Sequence, residues 1–249
     1  MKHALRYFIS GIVLFTSLQA EAQSWCNNRD FEDTTFTGWT GGSGSNLNGV
    51  LFPMNWTGGF VINGHNAAIS DPNARHTIIT QNFLDPNTID PNTMQPDTQM
   101  TSLAPGGGSV TVRLGNSNIG AECEKLSYQF TVTPRNSYFQ FQFASVQEDP
   151  GHPWDAQPFF MVNFYDQNNN PISSVCDTFW AADPSVPFIQ SANNMNWLYR
   201  RWTPVSADLT AYIGQQVTVE FVNSDCMYAG HFGYTYIDVS CLGLAVPNV

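Results

Sequence analysis

The sequence predicts an all-β chain folded as a two-sheet antiparallel β-sandwich of jelly-roll type, and three observations predict it. Apolar and polar residues alternate with a period of two along most of the chain. No long segment carries a convincing 3.6-residue periodicity. About ten short apolar stretches are separated by turns rich in Gly, Pro and Asn, the spacing of a sandwich rather than of alternating strands and helices.

Taken in order, the first expected strand is Phe31–Phe36. Gly41–Gly49 (GGSGSNLNG) reads as a flexible loop, with neither the lysine nor the following helix of a phosphate cradle. Strands follow at Gly59–Asn63 and His76–Asn82. Residues 85–108 read as a surface loop: Asp85-Pro86-Asn87-Thr88 recurs as Asp90-Pro91-Asn92-Thr93, with Gln95-Pro96-Asp97-Thr98 a degenerate copy, and the stretch ends at Gly106-Gly107-Gly108. Proline fixes φ and Asx-Pro starts turns, so the repeat is a string of turns. A calcium-loop reading is weak, with a single carboxylate in each copy.

Ser109–Leu114 is the next strand, and Tyr128, Phe130 and Val132 then alternate with Gln129, Thr131 and Thr133. Tyr138–Ser145 (YFQFQFAS) alternates most clearly, with Phe139, Phe141 and Phe143 on one face. Phe159–Tyr165 is apolar on both faces and reads as a covered central strand. Ile172–Cys176 and Trp197–Pro204 are further strands, Ala207–Ile213 offers one helical turn, and Val217, Val219 and Phe221 alternate again before Tyr234–Cys241.

Aromatics make up 14% of the chain and charged residues 12%, which excludes disorder over most of its length. The formal net charge is −11, and beyond residue 6 only Arg200 and Arg201 are adjacent cations. Nucleic acid and anionic membrane surfaces are therefore not expected partners. The first 22 residues read as a signal peptide: Lys2 and Arg6 precede the apolar run Tyr7–Leu18, and Ala20-Glu21-Ala22 gives a small-x-small cleavage site. That run is shorter than the ~20 residues of a membrane span, and no later stretch qualifies. The expectation is a single jelly-roll domain over 23–249, with surface loops at 41–49 and 85–108, secreted or held at the cell surface.

Export lets the five cysteines form disulfides. No CxxC spacing suggests zinc or thioredoxin chemistry. Several pairings are open; the preferred set is Cys26–Cys241, tying the first strand to the last, and Cys176–Cys226. Cys123 is then the leftover thiol, and its neighbours Glu122 and Glu124 raise a thiol's pKa, against a role as nucleophile. Neither a GxSxG elbow nor an HExxH helix is present, so no catalytic residue is assigned.

Three groups of residues carry candidate chemistry. In a jelly roll that begins and ends on neighbouring strands, Asn28–Trp39 (NRDFEDTTFTGW) lies beside Tyr234–Ser240 (YTYIDVS). Glu32 and Asp238, with Asp30 nearby, can then share a structural calcium ion, because adjacent carboxylates repel unless protonated or bridged. The Glu148-Asp149-Pro150-Gly151-His152 turn and His231 form the second group. If the loops converge, Asp149, His152 and His231 can bind a metal or a polar ligand; the preferred reading is that both imidazoles satisfy loop carbonyls, with Gln157 and Arg113 in support. Trp154 and Trp180 form the third, in loops near Asp155, Gln157, Asp177 and Asp183, as a platform for a sugar ring. Trp39, Trp197 and Trp202 are expected in the core.

The DFE…GW opening and the YIDVS close resemble family 4/9-type carbohydrate-binding modules and their galactose-binding-like relatives, in which the matching Glu and Asp help hold a structural calcium. SVTVRLGN (109–116), AECEKLSYQFTV (121–132), EDPGHPWDAQPF (148–159) and DCMYAGHFGYTYID (225–238) together resemble a jelly-roll domain common in Bacteroidetes surface and secreted proteins. Such domains usually precede PKD-like repeats and a secretion-system C-terminal domain; this chain reaches Val249 without either, a departure from that architecture. The resemblance implies a non-catalytic extracellular adhesion or glycan-contact module whose partner is a glycan or a cell-surface protein. The alternatives are a structural spacer in a larger secreted machine and, behind it, a glycoside-hydrolase-like enzyme. An exposed tryptophan beside polar loops favours binding; fully buried tryptophans favour the spacer.

Overall fold

A computed structural model describes residues 26–47, 54–59, 62–65, 74–89, 99–181, 183–185 and 187–241. The expected signal peptide and the second and third copies of the DPNT repeat lie outside the described residues. In chain order the strands are β1 (Trp39–Ser45), β2 (Asn55–Gly58), β3 (Ile62–His65), β4 (His76–Ile79), β5 (Thr111–Gly115), β6 (Glu122–Thr131) and β7 (Tyr138–Glu148). They continue as β8 (Phe159–Tyr165), β9 (Asp177–Trp180), β10 (Ile189–Gln190), β11 (Trp197–Asp208), β12 (Gln216–Ser224) and β13 (Gly233–Val239).

The strands form two sheets, one ordered β2-β1-β6-β12-β8-β9 and the other β10-β11-β7-β13-β5-β4-β3. Along the series β1, β5, β6, β7, β8, β11, β12, β13, every successive strand lies in the opposite sheet. This is the two-sheet β-sandwich that the sequence predicts. Pairing is antiparallel except at one edge, where β3 runs parallel to β4.

The period-two pattern places the core between the sheets. Phe139, Phe141 and Phe143 of β7 face Phe160 and Phe164 of β8 and Val219 and Phe221 of β12, all buried. Phe141 meets Phe221 edge-on at 5.0 Å and Phe143 meets Phe160 at 4.9 Å, contacts that join the two sheets. Such aromatic pairs add about 0.5–1.5 kcal/mol each beyond the area they bury. The other face of β7 carries Ala144 and Val146, and with Tyr199, Tyr234 and Tyr236 they form a second cluster under Phe83, Met100 and Leu103.

Five expectations are corrected. Phe31–Phe36 is a series of turns, not a strand: Asn27, Asn28, Phe31 and Thr34 have positive φ. The Asn28 side chain donates to the Thr35 and Thr37 carbonyls and accepts from Asp33 N–H, so this backbone is satisfied locally. Most of the Gly41–Gly49 loop is strand β1, paired with β6 from Trp39↔Tyr128 to Ser45↔Glu122 and with β2 on its other side. Its glycines allow close approach: a Cβ on Gly42 would lie 2.8 Å from Lys125 Cγ.

Residues 172–176 form a turn ahead of β9, and Trp180 sits on that strand rather than in a loop. The first DPNT copy is not a plain surface turn either. Asp85 is fully buried and accepts hydrogen bonds from Tyr234 Oη (2.9 Å) and Tyr236 Oη (2.7 Å). It forms the expected Asx-turn as well, accepting from Asn87 N–H at 2.8 Å. Residues 83–89 and 99–103 therefore lie over the outer face of the seven-stranded sheet.

Candidate functional site

The first and the last described residues meet at a cavity of about 1090 Å³ on the outer face of the seven-stranded sheet. Cys26 and Cys241 are joined by a disulfide at its edge. The Arg29 guanidinium, close by, donates to the Ser240 carbonyl at 3.1 Å. Asp30 and Glu32 reach the cavity from the N-terminal turns, and Asp238 reaches it from β13.

The Gly106-Gly107-Gly108 turn closes one wall. Glu32 Oε1 accepts from Ser109 N–H (2.9 Å) and Val110 N–H (3.1 Å), and its Oε2 accepts from Ser109 Oγ (2.6 Å). Asp238 Oδ2 accepts from Gly108 N–H at 3.3 Å. Burial pushes the Asp238 carboxyl up to about 6, reinforced by the nearby Glu32 and Asp30 charges and opposed by the Gly108 hydrogen bond. Asp30 is also held above its ordinary value, chiefly by burial and in part by Glu32. Four acidic residues, Asp30, Glu32, Asp33 and Asp238, thus line one partly enclosed space, and the Arg29 charge offsets only part of the rise at Asp30. A carboxylate offers about four lone-pair positions, so the hydrogen bonds in place leave acceptor capacity for a hard cation. The donor set, oxygen throughout, fits calcium.

The EDPGH turn and the loop after β12 converge at a second place. Asp149 Oδ1 accepts from Gly151 N–H (2.9 Å) and Gln157 Nε2 (2.8 Å), and the same amide donates to the His152 carbonyl (3.2 Å). The His152 and His231 rings stand nearly perpendicular with centroids 5.1 Å apart. His231 Nδ1 lies 3.4 Å from Cys226 Sγ. Burial, and then the neighbouring His231, holds His152 below the ordinary imidazole value.

Neither imidazole donates to a backbone carbonyl among the described residues, so the preferred reading of both as turn-fixing groups is not what the fold uses. Gln157 does belong to this turn. Arg113 does not: it lies fully buried against the Tyr234 ring and donates to the Ala74 carbonyl.

The second predicted disulfide is absent. Cys176 and Cys226 are both free: Cys176 Sγ lies within hydrogen-bond reach of Phe164 N–H and the Ile172 carbonyl, while Cys226 faces His231. Cys123 is also free and buried, and burial and then the Glu124 charge push its thiol up to about 12. Trp154 is 65% exposed on a single 3₁₀ turn, Trp154–Ala156, with Asp155 exposed beside it. Trp39 is buried as expected, whereas Trp197 and Trp202 are half-buried against the second cluster.

Sequence reasoning missed a buried polar cluster between the sheets. Arg75, just before β4, pairs with Glu124 of β6 at 2.7 Å and also donates to the Gly44 and Cys123 carbonyls. Asn223 of β12 donates to Glu124 Oε2 and to the Gly233 carbonyl, and Asp225 accepts from Gly233 N–H. Glu124 is wholly buried at the centre of this cluster.

No protein-family model matches the sequence, and neither does any curated protein. Among solved structures, TmCBM61 in complex with β-1,4-galactotriose matches 53% of this chain and 72% of its own length, at 10% identity and a TM-score of 0.29. The enzymatically active domain of tailspike protein 4 from bacteriophage CBA120 matches 86% of this chain but only 21% of its own, at 10% identity and a TM-score of 0.35. A carbohydrate-binding module of the β-sandwich superfamily, described for its promiscuous specificity, matches 85% of this chain and 59% of its own, at 10% identity and a TM-score of 0.33. At these values the likenesses assign neither a family nor a ligand.

Proposed function

We propose that this chain is an exported, non-catalytic module that contacts a glycan through the loop surface around Trp154, on a β-sandwich fastened by calcium at Asp30, Glu32 and Asp238. The observation that carries the glycan reading is Trp154: its ring is 65% exposed on a turn held by the Ala156 N–H bond to the Pro153 carbonyl. A large apolar side chain presented to water by a fixed backbone, next to the Asp155 carboxylate, is the arrangement that stacks on a sugar face and binds its hydroxyls. Tyr228, 58% exposed, stands against the His152 ring two residues before Trp154 and widens the aromatic surface.

The calcium half of the reading rests on the crowding of Asp30, Glu32 and Asp238. An ion there would be held by those carboxylates and would add to the partial compensation that Arg29 gives Asp30; it would take no part in chemistry. It would also tie the turns after Cys26 to the end of β13, where the disulfide already joins them.

A glycan array probed with the purified protein and with Trp154→Ala tests the first half. Binding lost on the substitution, with the melting temperature unchanged, is the expected result; a folded protein that captures no glycan overturns it. Thermal unfolding with calcium and then with excess chelator tests the second. An ion that binds only the folded state adds about 4 kcal/mol at a thousandfold excess over its dissociation constant. The shift should vanish in Glu32→Ala and in Asp238→Ala, and an unmodified protein indifferent to calcium sinks the claim.

A further inference from the structure

Cys226 is a buried free thiol whose sulfur faces two imidazoles. One donor atom each from His152, Cys226 and His231 lies within 4.8 Å of the others. In a tetrahedral zinc site, bonds of about 2.1 Å to nitrogen and about 2.3 Å to sulfur set neighbouring donors roughly 3.6 Å apart. Cys226 Sγ and His231 Nδ1 stand 3.4 Å apart, already close to that spacing. His152 Nδ1 is shielded from solvent and has no hydrogen-bond partner. A buried imidazole nitrogen left in that state is costly, and an ion coordinated at that nitrogen would satisfy it.

The backbone fixes this arrangement. Cys226 N–H donates to the His231 carbonyl at 3.1 Å and Ala229 N–H donates back to the Cys226 carbonyl at 3.1 Å, with Ala229 in the left-handed region at φ 59°. That tight turn brings the thiol and the His231 ring onto one side. Met227 N–H donates to the Ala156 carbonyl and so links this loop to the one that carries His152. The Gln157 amide, bound to both Asp149 and the His152 carbonyl, holds the second loop in place.

We infer that His152, Cys226 and His231 form a binding site for a zinc-class divalent ion, separate from the carboxylate site at the other loops. Two imidazoles and a thiolate suit a borderline metal and not calcium or magnesium. Three protein ligands leave one coordination position for water or an external group, and the half-exposed rings of His152 and His231 leave that position open to the loop surface. Binding displaces the thiol proton of Cys226, so each ion taken up releases one proton to solvent.

The test is titration of the purified protein, with its Cys26–Cys241 disulfide intact, with cobalt(II) and then zinc(II). A sulfur-to-cobalt charge-transfer band should appear and be bleached by an equimolar amount of zinc, while calcium leaves it unchanged. Cys226→Ser should abolish the band; His152→Ala and His231→Ala should weaken zinc binding on the order of a hundredfold. Cys123→Ser and Cys176→Ser should keep both signals. Because His152 is half-exposed, its variant keeps the inference testable even where Cys226→Ser fails to fold. A folded protein that gives no charge-transfer band, or a band that survives Cys226→Ser and disappears in Cys176→Ser, overturns the inference.

Discussion

At Gly107 and Gly108 the absence of a side chain is what the site requires. A Cβ on Gly107 would fall 1.9 Å from Asp238 Oδ2, and one on Gly108 would fall 1.9 Å from Glu32 Oε1. Neither has a positive φ, so space and not backbone freedom is the constraint. Gly108→Ala should therefore push the Glu32 carboxylate off Ser109 and Val110 and shrink the calcium-dependent rise in melting temperature while the far-UV spectrum stays the same. A full calcium response in that variant would contradict the geometry. Gly115 is different: its φ is +79°, and a Cβ would meet the Gly233 carbonyl oxygen at 2.5 Å and Asn223 Nδ2 at 2.4 Å. Backbone cannot retreat as a carboxylate tip can, so Gly115→Ala should cost about 2–4 kcal/mol in urea unfolding, and an unmoved midpoint would refute this. That Glu32 and Asp238 come to one cavity was legible in the sequence, because each stands in a compact motif near one end of the chain. Cys226 was misread, since spacing alone does not say which sulfur lies opposite which side chain, and an oxidising compartment makes a disulfide the first choice.

Strand β7 and strand β1 show where element prediction succeeds and where it fails. β7 buries one face with three phenylalanines, and that alternation is visible in one dimension. β1 reads WTGGSGS, with almost no side chain to alternate, and its pairing is dictated by β6 and β2 and by the stem of Lys125 lying over Gly42. The Lys125 ammonium ends 4.8 Å from the Trp56 ring centroid, an interaction across strands that no local pattern encodes. The Cys26–Cys241 disulfide acts at this scale too, because it fastens the turns ahead of β1 to the residue just past β13 across a sequence separation of 215. The chain-entropy model assigns a closure of that length about 5 kcal/mol. Replacing both cysteines by serine should lower stability by about 2–5 kcal/mol in chelator, read from the urea midpoint. Calcium should restore part of the loss, since it would join the same two segments; no loss at all would mean that the sheets alone hold the chain ends.

The two sheets meet not only through aromatic rings but also through the Arg75–Glu124–Asn223 cluster, which joins the segment before β4 to β6 and β12. Burial outweighs the Arg75 charge there and pushes the Glu124 carboxyl up to about 7, with Glu122 adding to the rise and Asn223 opposing it. Asp225, also enclosed, is raised well above its ordinary value by burial and then by Glu124. A carboxyl that titrates higher in the folded than in the unfolded chain means that the folded state binds more protons between the two values, so stability falls as pH rises through that window. For Glu124 the window runs from the ordinary 4.5 to about 7. His76 works in the opposite sense: burial holds it down to about 4 against an ordinary 6.5, so the unfolded chain binds the extra proton and stability rises with pH across that range. Between 6.5 and 7 the histidine contribution has ended and the carboxyls act unopposed. The molecule should therefore lose stability as pH rises from 6.5 to 7, with the Glu124 share on the order of 1–3 kcal/mol over its whole window. Glu124→Gln keeps an acceptor for Arg75 and removes the titration; whatever its absolute cost, it should shift the slope of the urea midpoint against pH toward positive values between 5 and 7, where the His76 contribution is then less opposed. An identical slope in the variant and the unmodified protein would place the proton elsewhere and leave the cluster as a hydrogen-bonded clasp without a part in pH response.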